Sequence, residues 1–452
     1  MRLRNLLIIL LFILPGCLGE SAEEVGSVPN AEISIEVWYT FKAESIEEEV
    51  LFDAVDAFST ETGIDVKARR VSFNDADQLF INSAQGGEAP DLIRIASDAL
   101  GKFGEIRVDG APLFEDLRPH LTPHERSKSD ATSLDSMRYG ESLYAIPAST
   151  DCLSLIYNKA LFDGMEEPNE NWTLEDLIDA GNRVGLEFPV KNAYWWFSFL
   201  GGFGGELFDE NGTPTLDVNG APESLDFMMS LELEYGIVPA GTQIISMENS
   251  FEAWETGMVI DGAWNWARYG KGIEDLGQTL LPKVGSTGKH LSPLVTYKGW
   301  AVSKQSPEKV AATQLALYLS SEEVQKQFAL ETYTIPTAES LKYDSEILED
   351  PVLTGFTRQA ELGTPAPTLR GMSKVYDALS PAFEQVYTGT SDPQTALTMA
   401  DEELERMLSE AERAEKATLI EGYRTVDIVF EIGEGDHTIF VDGITHSTLV
   451  EG

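Results

Sequence analysis

Several side chains in this sequence are of types that do chemistry. Asp98 and Asp151 are carboxylates of the kind that glycoside hydrolases use in pairs. Tyr194, Trp195, Trp196, Phe197 and Phe199 crowd one short segment, and Trp254, Trp264 and Trp266 crowd another. Aromatic faces suit the C–H faces of a sugar, although rings at this spacing more often build a core. His120 and His124 are four apart, the spacing of two metal ligands on a helix, but Pro119 and Pro123 interrupt any such helix and no third ligand is near. Cys152 adjoins Asp151, whose charge raises a thiol pKa and disfavours a nucleophile. Cys17 closes the stretch Leu14-Pro15-Gly16-Cys17, which follows Arg2, Arg4 and the apolar run Leu6 to Leu14 and reads as a lipobox. That run falls short of the roughly 20 residues a membrane-spanning helix needs. Residues 1–17 are therefore expected to be a secretion signal cut before Cys17, whose thiol takes the lipid, with 18–30 as a flexible tether. Asn171-Trp172-Thr173 and Asn211-Gly212-Thr213 match the N-glycosylation pattern.

Composition narrows the function classes. The 452 residues carry 76 acidic and 32 basic side chains, a formal charge of −44 spread along the chain. Nucleic acid is excluded as a partner by sign, and a solvated acidic surface suggests salt adaptation. Cys17 and Cys152 are the two cysteines, so lipidation of Cys17 leaves no internal disulfide, and five histidines argue against structural zinc. No cofactor motif is present.

The elements that must position these residues read as strand, helix, strand, helix, strand. Ile33, Ile35, Val37 and Tyr39 alternate as in a strand. Ile46, Val50, Leu51, Ala54, Val55 and Phe58 recur at helical spacing, with acids in the first turn and Gly63 as the terminating residue. Ile64 to Ala68, a helix near Asp77 to Ala84, and the strand Asp91 to Ala96 follow. This order predicts a parallel sheet covered by helices, with ligands beyond the carboxyl ends of the strands, at Tyr39 to Lys42 and at Ser97 and Asp98. A second unit opens with a strand over Leu153 to Tyr157 and a helix over Trp172 to Val184, capped by Asn171 or Thr173. Helices are expected over Ser306–Leu319, Glu322–Leu330, Ser373–Thr388 and Asp392–Leu408, the last running on to Lys416. Thr425 to Ile432 and His437 to Asp442, flanking Gly433-Glu434-Gly435-Asp436, predict a β-hairpin.

Seven segments in order resemble the family 1 extracellular solute-binding proteins, the maltose-binding-protein-like receptors of ABC importers. They are Val37-Trp38; Thr62-Gly63-Ile64-Asp65-Val66; Gly87-Glu88-Ala89-Pro90-Asp91-Leu92; Tyr144-Ala145-Ile146-Pro147; Leu153 to Lys159; Phe251 to Trp264 with Asp261-Gly262-Ala263-Trp264; and Ser306-Pro307-Glu308-Lys309. The resemblance spans roughly 31 to 408 and implies a periplasmic-binding-protein-like α/β fold, with two lobes around a hinged ligand cleft. Its implied lobes are 31–149 plus 298–334 and 150–297 plus 335–408, with 409–452 as an added helix extension and hairpin. The three crossings fall near Ala148–Thr150, Val295–Lys298 and Tyr333–Pro336. Family positions imply that Lys42, Asp98, Asp151, Tyr194, Phe197, Trp264 and Tyr376 line the cleft and bind a sugar or related polyol. The implied protein is no enzyme and needs no cofactor or metal. It is a monomeric receptor, held by its lipid on the outer face of the cytoplasmic membrane, that delivers an oligosaccharide to ABC transporter membrane subunits. Two other classes fit parts of the sequence: a secreted glycoside hydrolase using Asp98 and Asp151, and a surface scaffold that binds no sugar.

Overall fold

The computed structural model describes residues 33–369, 371–424, 439–441 and 444–446. The signal, Cys17, the tether and Thr425–Ile432 lie outside these described residues. In chain order the strands that matter are β1 (Ser34–Tyr39), β2 (Asp65–Arg70), β3 (Leu92–Ala96), β4 (Ala145–Asp151), β5 (Leu153–Asn158), β6 (Leu186–Glu187), β7 (Met258–Gly262), β8 (Leu276–Thr279), β9 (Leu294–Val302), β10 (Thr364–Pro365), β11 (Ile439–Val441) and β12 (Ile444–His446). The helices are α1 (Ile46–Thr62), α2 (Phe73–Gly86), α3 (Ala193–Phe203), α4 (Ile244–Glu252), α5 (Lys309–Leu319), α6 (Glu322–Thr332), α7 (Met372–Tyr387) and α8 (Pro393–Arg424).

Two mixed sheets organise the chain. The larger runs β10-β9-β3-β1-β2, with β4 also paired to β9. Within it β1 lies parallel to β2 and β3, as the strand–helix alternation predicts, while β9 runs antiparallel to β3 and β4. The smaller sheet runs β6-β7-β5-β8. Cys152 alone separates β4 from β5, so the chain passes from one sheet to the other within a single residue. Thr150 forms an isolated bridge with Ile335 at the same place.

Local sequence explains the helix ends. Ser45 accepts the Glu48 N–H at the start of α1, and Gly63 ends it at φ 74°, where only glycine is unstrained. The Leu174–Val184 helix is capped by Thr173, not Asn171, in a capping box with Asp176. His120 and His124 fall in separate short helices, Arg118–His120 and Pro123–Arg126, as the prolines require. At the far end β11, within the expected strand His437 to Asp442, pairs antiparallel with β12, and its expected partner Thr425–Ile432 lies outside the described residues.

Aromatic packing forms the core on both sheets. Phe80 of α2 stacks on Phe114 at 4.9 Å, and Phe103 meets Phe114 edge-on at 5.1 Å. Phe58 of α1 packs against Tyr318 of α5 at 5.4 Å. Around the smaller sheet, Trp196 of α3 meets Phe383 of α7 at 5.5 Å, and Phe251 meets Tyr269 at 4.8 Å. Each fully buried ring of this size contributes on the order of 2–3 kcal/mol, enough to hold α3, α4 and α7 as rigid carriers of the side chains below.

Candidate ligand cleft between the two sheets

The residues flagged in the sequence converge where the carboxyl ends of β1 and β3 face the end of β4, the start of α3, the turn after β7 and the first part of α7. Asp98 sits in a single turn, Ser97–Ala99, directly after β3. Buried Ser97 pins that turn by accepting the Tyr297 N–H at 3.0 Å. The Tyr376 hydroxyl reaches across from α7 to the neighbourhood of the Asp98 carboxylate, whose charge helps to raise its pKa. Phe197 lies behind Tyr376, edge-on at 5.6 Å, and is almost fully buried, so it supports that ring. Tyr194 begins α3, where Asn192 caps the helix by accepting its N–H, and its ring lies 6.4 Å from that of Trp264. Burial, reinforced by the charges of Asp151 and Asp98, pushes the Tyr194 hydroxyl well above its ordinary pKa. Burial and Asp98 do the same for Tyr376, so both hydroxyls stay neutral donors at physiological pH.

Trp264 follows β7 in a short 3-10 turn, and its six-membered ring lies directly against Gly262. Any side chain at 262 would occupy the space of that ring, which explains the glycine in Asp261-Gly262-Ala263-Trp264. Asp151 ends β4 opposite Thr296, with Lys298 Nζ 3.8 Å from its carboxylate.

Arg94, Lys298, Glu248 and Asn265 belong to this region and were missed in the sequence. Arg94 on β3 donates to Thr40 Oγ1 at 3.2 Å and Ser149 Oγ at 3.4 Å, and its guanidinium lies 4.5 Å from the Phe41 ring. Burial pulls its pKa below the ordinary value, and the carboxylates of Asp151 and Glu47 oppose that pull. The available signal was a lone cation inside an apolar strand, Leu92-Ile93-Arg94-Ile95-Ala96, and again at Lys298 within β9. A charge there must find polar partners to be tolerated. Glu248 and Asn265 carried no such signal, because their partner is remote: Lys42, just past β1, places Nζ 2.9 Å from both Glu248 Oε1 and Asn265 Oδ1.

Six of the seven flagged side chains thus group around Asp98, Asp151 and the aromatic set, and Lys42 joins them through Asn265, the neighbour of Trp264. Their chemistry is that of polyol recognition: flat apolar faces beside acceptors and neutral donors. Two surface cavities lie elsewhere. One of about 620 Å3 is lined by Phe197, Phe208, His290 and Glu361, and one of about 350 Å3 lies between Thr132 and Thr368. Neither is lined by Asp98, Asp151 or Trp264.

Known proteins resemble this chain in sequence and fold. The chain matches the family described as bacterial extracellular solute-binding protein over residues 43–326. It is 26% identical over 367 residues to the galactooligosaccharide-binding protein of Bacillus subtilis (strain 168), covering 77% of this chain and 84% of that one. To the maltotriose-binding protein of Pyrococcus abyssi (strain GE5 / Orsay) it is 25% identical over 327 residues, covering 69% and 68%. Among solved structures, the maltose/maltodextrin-binding domain MalE from Bdellovibrio bacteriovorus bound to maltotriose superposes with a TM-score of 0.74 at 25% identity, covering 83% of this chain and all of that one. The GacH receptor of Streptomyces glaucescens shares the fold with a TM-score of 0.75 at 22% identity, covering 83% and 98%. With a family match over more than half of its length and two α/β sheets meeting at a shared cleft, this chain belongs to the bacterial extracellular solute-binding proteins.

Proposed function

We propose that the protein is the sugar receptor of an ABC importer, binding an oligosaccharide between its two sheets and closing on it by a hinge. The observation that carries this reading is the convergence of Asp98 with Tyr376, and of Tyr194 with Trp264, from elements of both sheets. Rings stack on the pyranose faces while Asp98 and Asp151 accept from hydroxyls, each such charge-assisted bond contributing roughly 1.5–3 kcal/mol. Relatives named for galactooligosaccharide and maltotriose binding support the same ligand class.

The lobes in this reading are 31–149 with 298–334 and 150–297 with 335–408, joined at Cys152, along β9 and near Ile335. Ligand that touches both lobes favours the closed form, which the transporter's membrane subunits then recognise. Asp98 and Asp151 bind and do no chemistry. Cys17 carries the lipid that holds the monomeric receptor at the outer face of the membrane. Among the described residues no helix is long and apolar enough to cross a bilayer.

Tryptophan fluorescence, titrated with mono- and oligosaccharides, polyols and their phosphates at low and high salt, tests this. Saturable change with one sugar class, with the sugar recovered unaltered, is the expected result. A flat response on folded protein refutes the sugar reading, and recovery of a cleaved sugar moves the case to a hydrolase.

A further inference from the structure

The Lys42 contact is built asymmetrically. On the smaller-sheet side, Glu248 of α4 is 7% exposed and is held by protein groups of its own half: Asn265 Nδ2 donates to Oε1 at 2.9 Å and Arg268 pairs with Oε2. Arg268 is anchored in turn on Glu252, at 2.7 Å to each carboxylate oxygen. Asn265, fully buried, also donates to Asp261 Oδ2 at 2.7 Å, and Tyr269 donates to the same oxygen at 2.5 Å. The acceptor is thus rigid and preorganised. On the other side, Lys42 is 55% exposed on a loop after β1 and spends two of its three N–H donors on Glu248 and Asn265. Burial alone would raise the Glu248 pKa, but Lys42, Asn265 and Arg268 draw it below the ordinary range, so the acceptor is charged at physiological pH. Closure brings together two parts of a chain with a net charge of −44, and that repulsion is screened beyond about 10 Å at 0.1 M salt. A cation delivered from one half into a fixed anionic seat on the other opposes the repulsion locally.

We propose that Glu248 is a positioning residue for closure: it seats Lys42 across the cleft and, through Asn265, fixes the turn that carries Trp264, so that part of the closing free energy comes from a protein–protein ion pair. Lys42 acts here as the bolt of a latch, not chiefly as a ligand contact. The affinity arm of the test below rests on the sugar-receptor reading; the shape arm does not.

The experiment is a double-mutant cycle on the full chain with Lys42→Met, Glu248→Gln and both, read by small-angle X-ray scattering without sugar, sugar affinity and thermal midpoint. We expect each single variant to shift the ensemble to a larger radius of gyration, and the double variant to add little beyond either. Affinity for whichever sugar the fluorescence panel identifies should fall roughly ten-fold, by faster release. Lys42→Met should lower the thermal midpoint by no more than a few degrees, which keeps the test decisive if Glu248→Gln loosens Arg268. Unchanged scattering for Lys42→Met overturns the latch. Weakened affinity with unchanged scattering also overturns it and assigns Lys42 to the ligand. If no sugar binds, scattering still decides the latch while the ligand reading fails separately.

Discussion

Replacing Gly262 by alanine tests the placement of Trp264 without touching the indole. Gly262 has φ −105° and ψ 171°, a backbone any residue adopts, and alanine keeps the N–H that Asp261 accepts at 2.8 Å. What alanine cannot keep is the position of the indole, because its Cβ would overlap Cζ3, Cε3 and Cη2 of Trp264, well inside the 3.4 Å at which ordinary contact begins. The ring must swing away from the face it presents to the cleft. An indole stacked by one face covers roughly half of the 150–250 Å2 such a side chain can bury, about 80–100 Å2. At about 25 cal/mol per Å2 this is roughly 2 kcal/mol, or about a thirty-fold rise in Kd. Trp264 is only partly buried, so the thermal midpoint should move by no more than a few degrees. Calorimetric titration with the sugar that saturates the wild-type fluorescence, beside a melting curve, measures both quantities. A folded Gly262→Ala protein with unchanged Kd would show that Trp264 is no stacking platform. A collapse in stability would show that the ring is structural cement.

Three other outcomes separate core from cleft. Trp196 is fully buried and donates to Ser224 Oγ at 2.8 Å, so Trp196→Ala should cost about 3–5 kcal/mol of stability in denaturant titration; Tyr194→Ala, two residues away, should instead weaken sugar binding with a small stability change. Cys152 is buried, and burial with the charge of Asp151 pushes its thiol far above the ordinary pKa; peptide mass mapping should find Cys152 unmodified by maleimide in native protein and modified in urea. Asp261 is pushed up to about 6 by burial, against the donors Tyr269, Asn265 and Gly262 N–H. Because its folded pKa lies above the ordinary 3.8, the folded state binds the extra proton between about pH 4 and pH 6. Its unfavourable contribution, at most roughly 3 kcal/mol, is therefore full above pH 6 and relieved toward pH 4. The melting temperature of wild type minus that of Asp261→Asn should rise as pH falls from 7 to 4, and a flat difference would contradict the assignment.

Much of the fold was legible because its signals are local. The apolar spacing of α1, Gly63 at its end, Thr173 before its helix and the strand–helix alternation each act within a window of a few residues, where backbone dihedrals and side-chain caps decide the outcome. The parallel β1, β2 and β3, and the approach of Asp98 to the strand ends, followed from that order. Family resemblance, not periodicity, singled out Tyr376, while Lys42 also lay at a strand end that the element order marked. What tertiary structure alone decided is which distant groups meet. The Arg94 guanidinium meets Thr40, Ser149 and Phe41 through the assembly of the larger sheet, and the approach of Tyr376 to Asp98 depends on how the two sheets and their helices pack together. So does the pairing of Lys42 with Glu248, 206 residues apart. Nothing in the sequence near either residue encodes that approach, since it arises from the summed packing of whole helices, and a charge reads as ordinary solvated surface until its partner arrives from the other half of the chain.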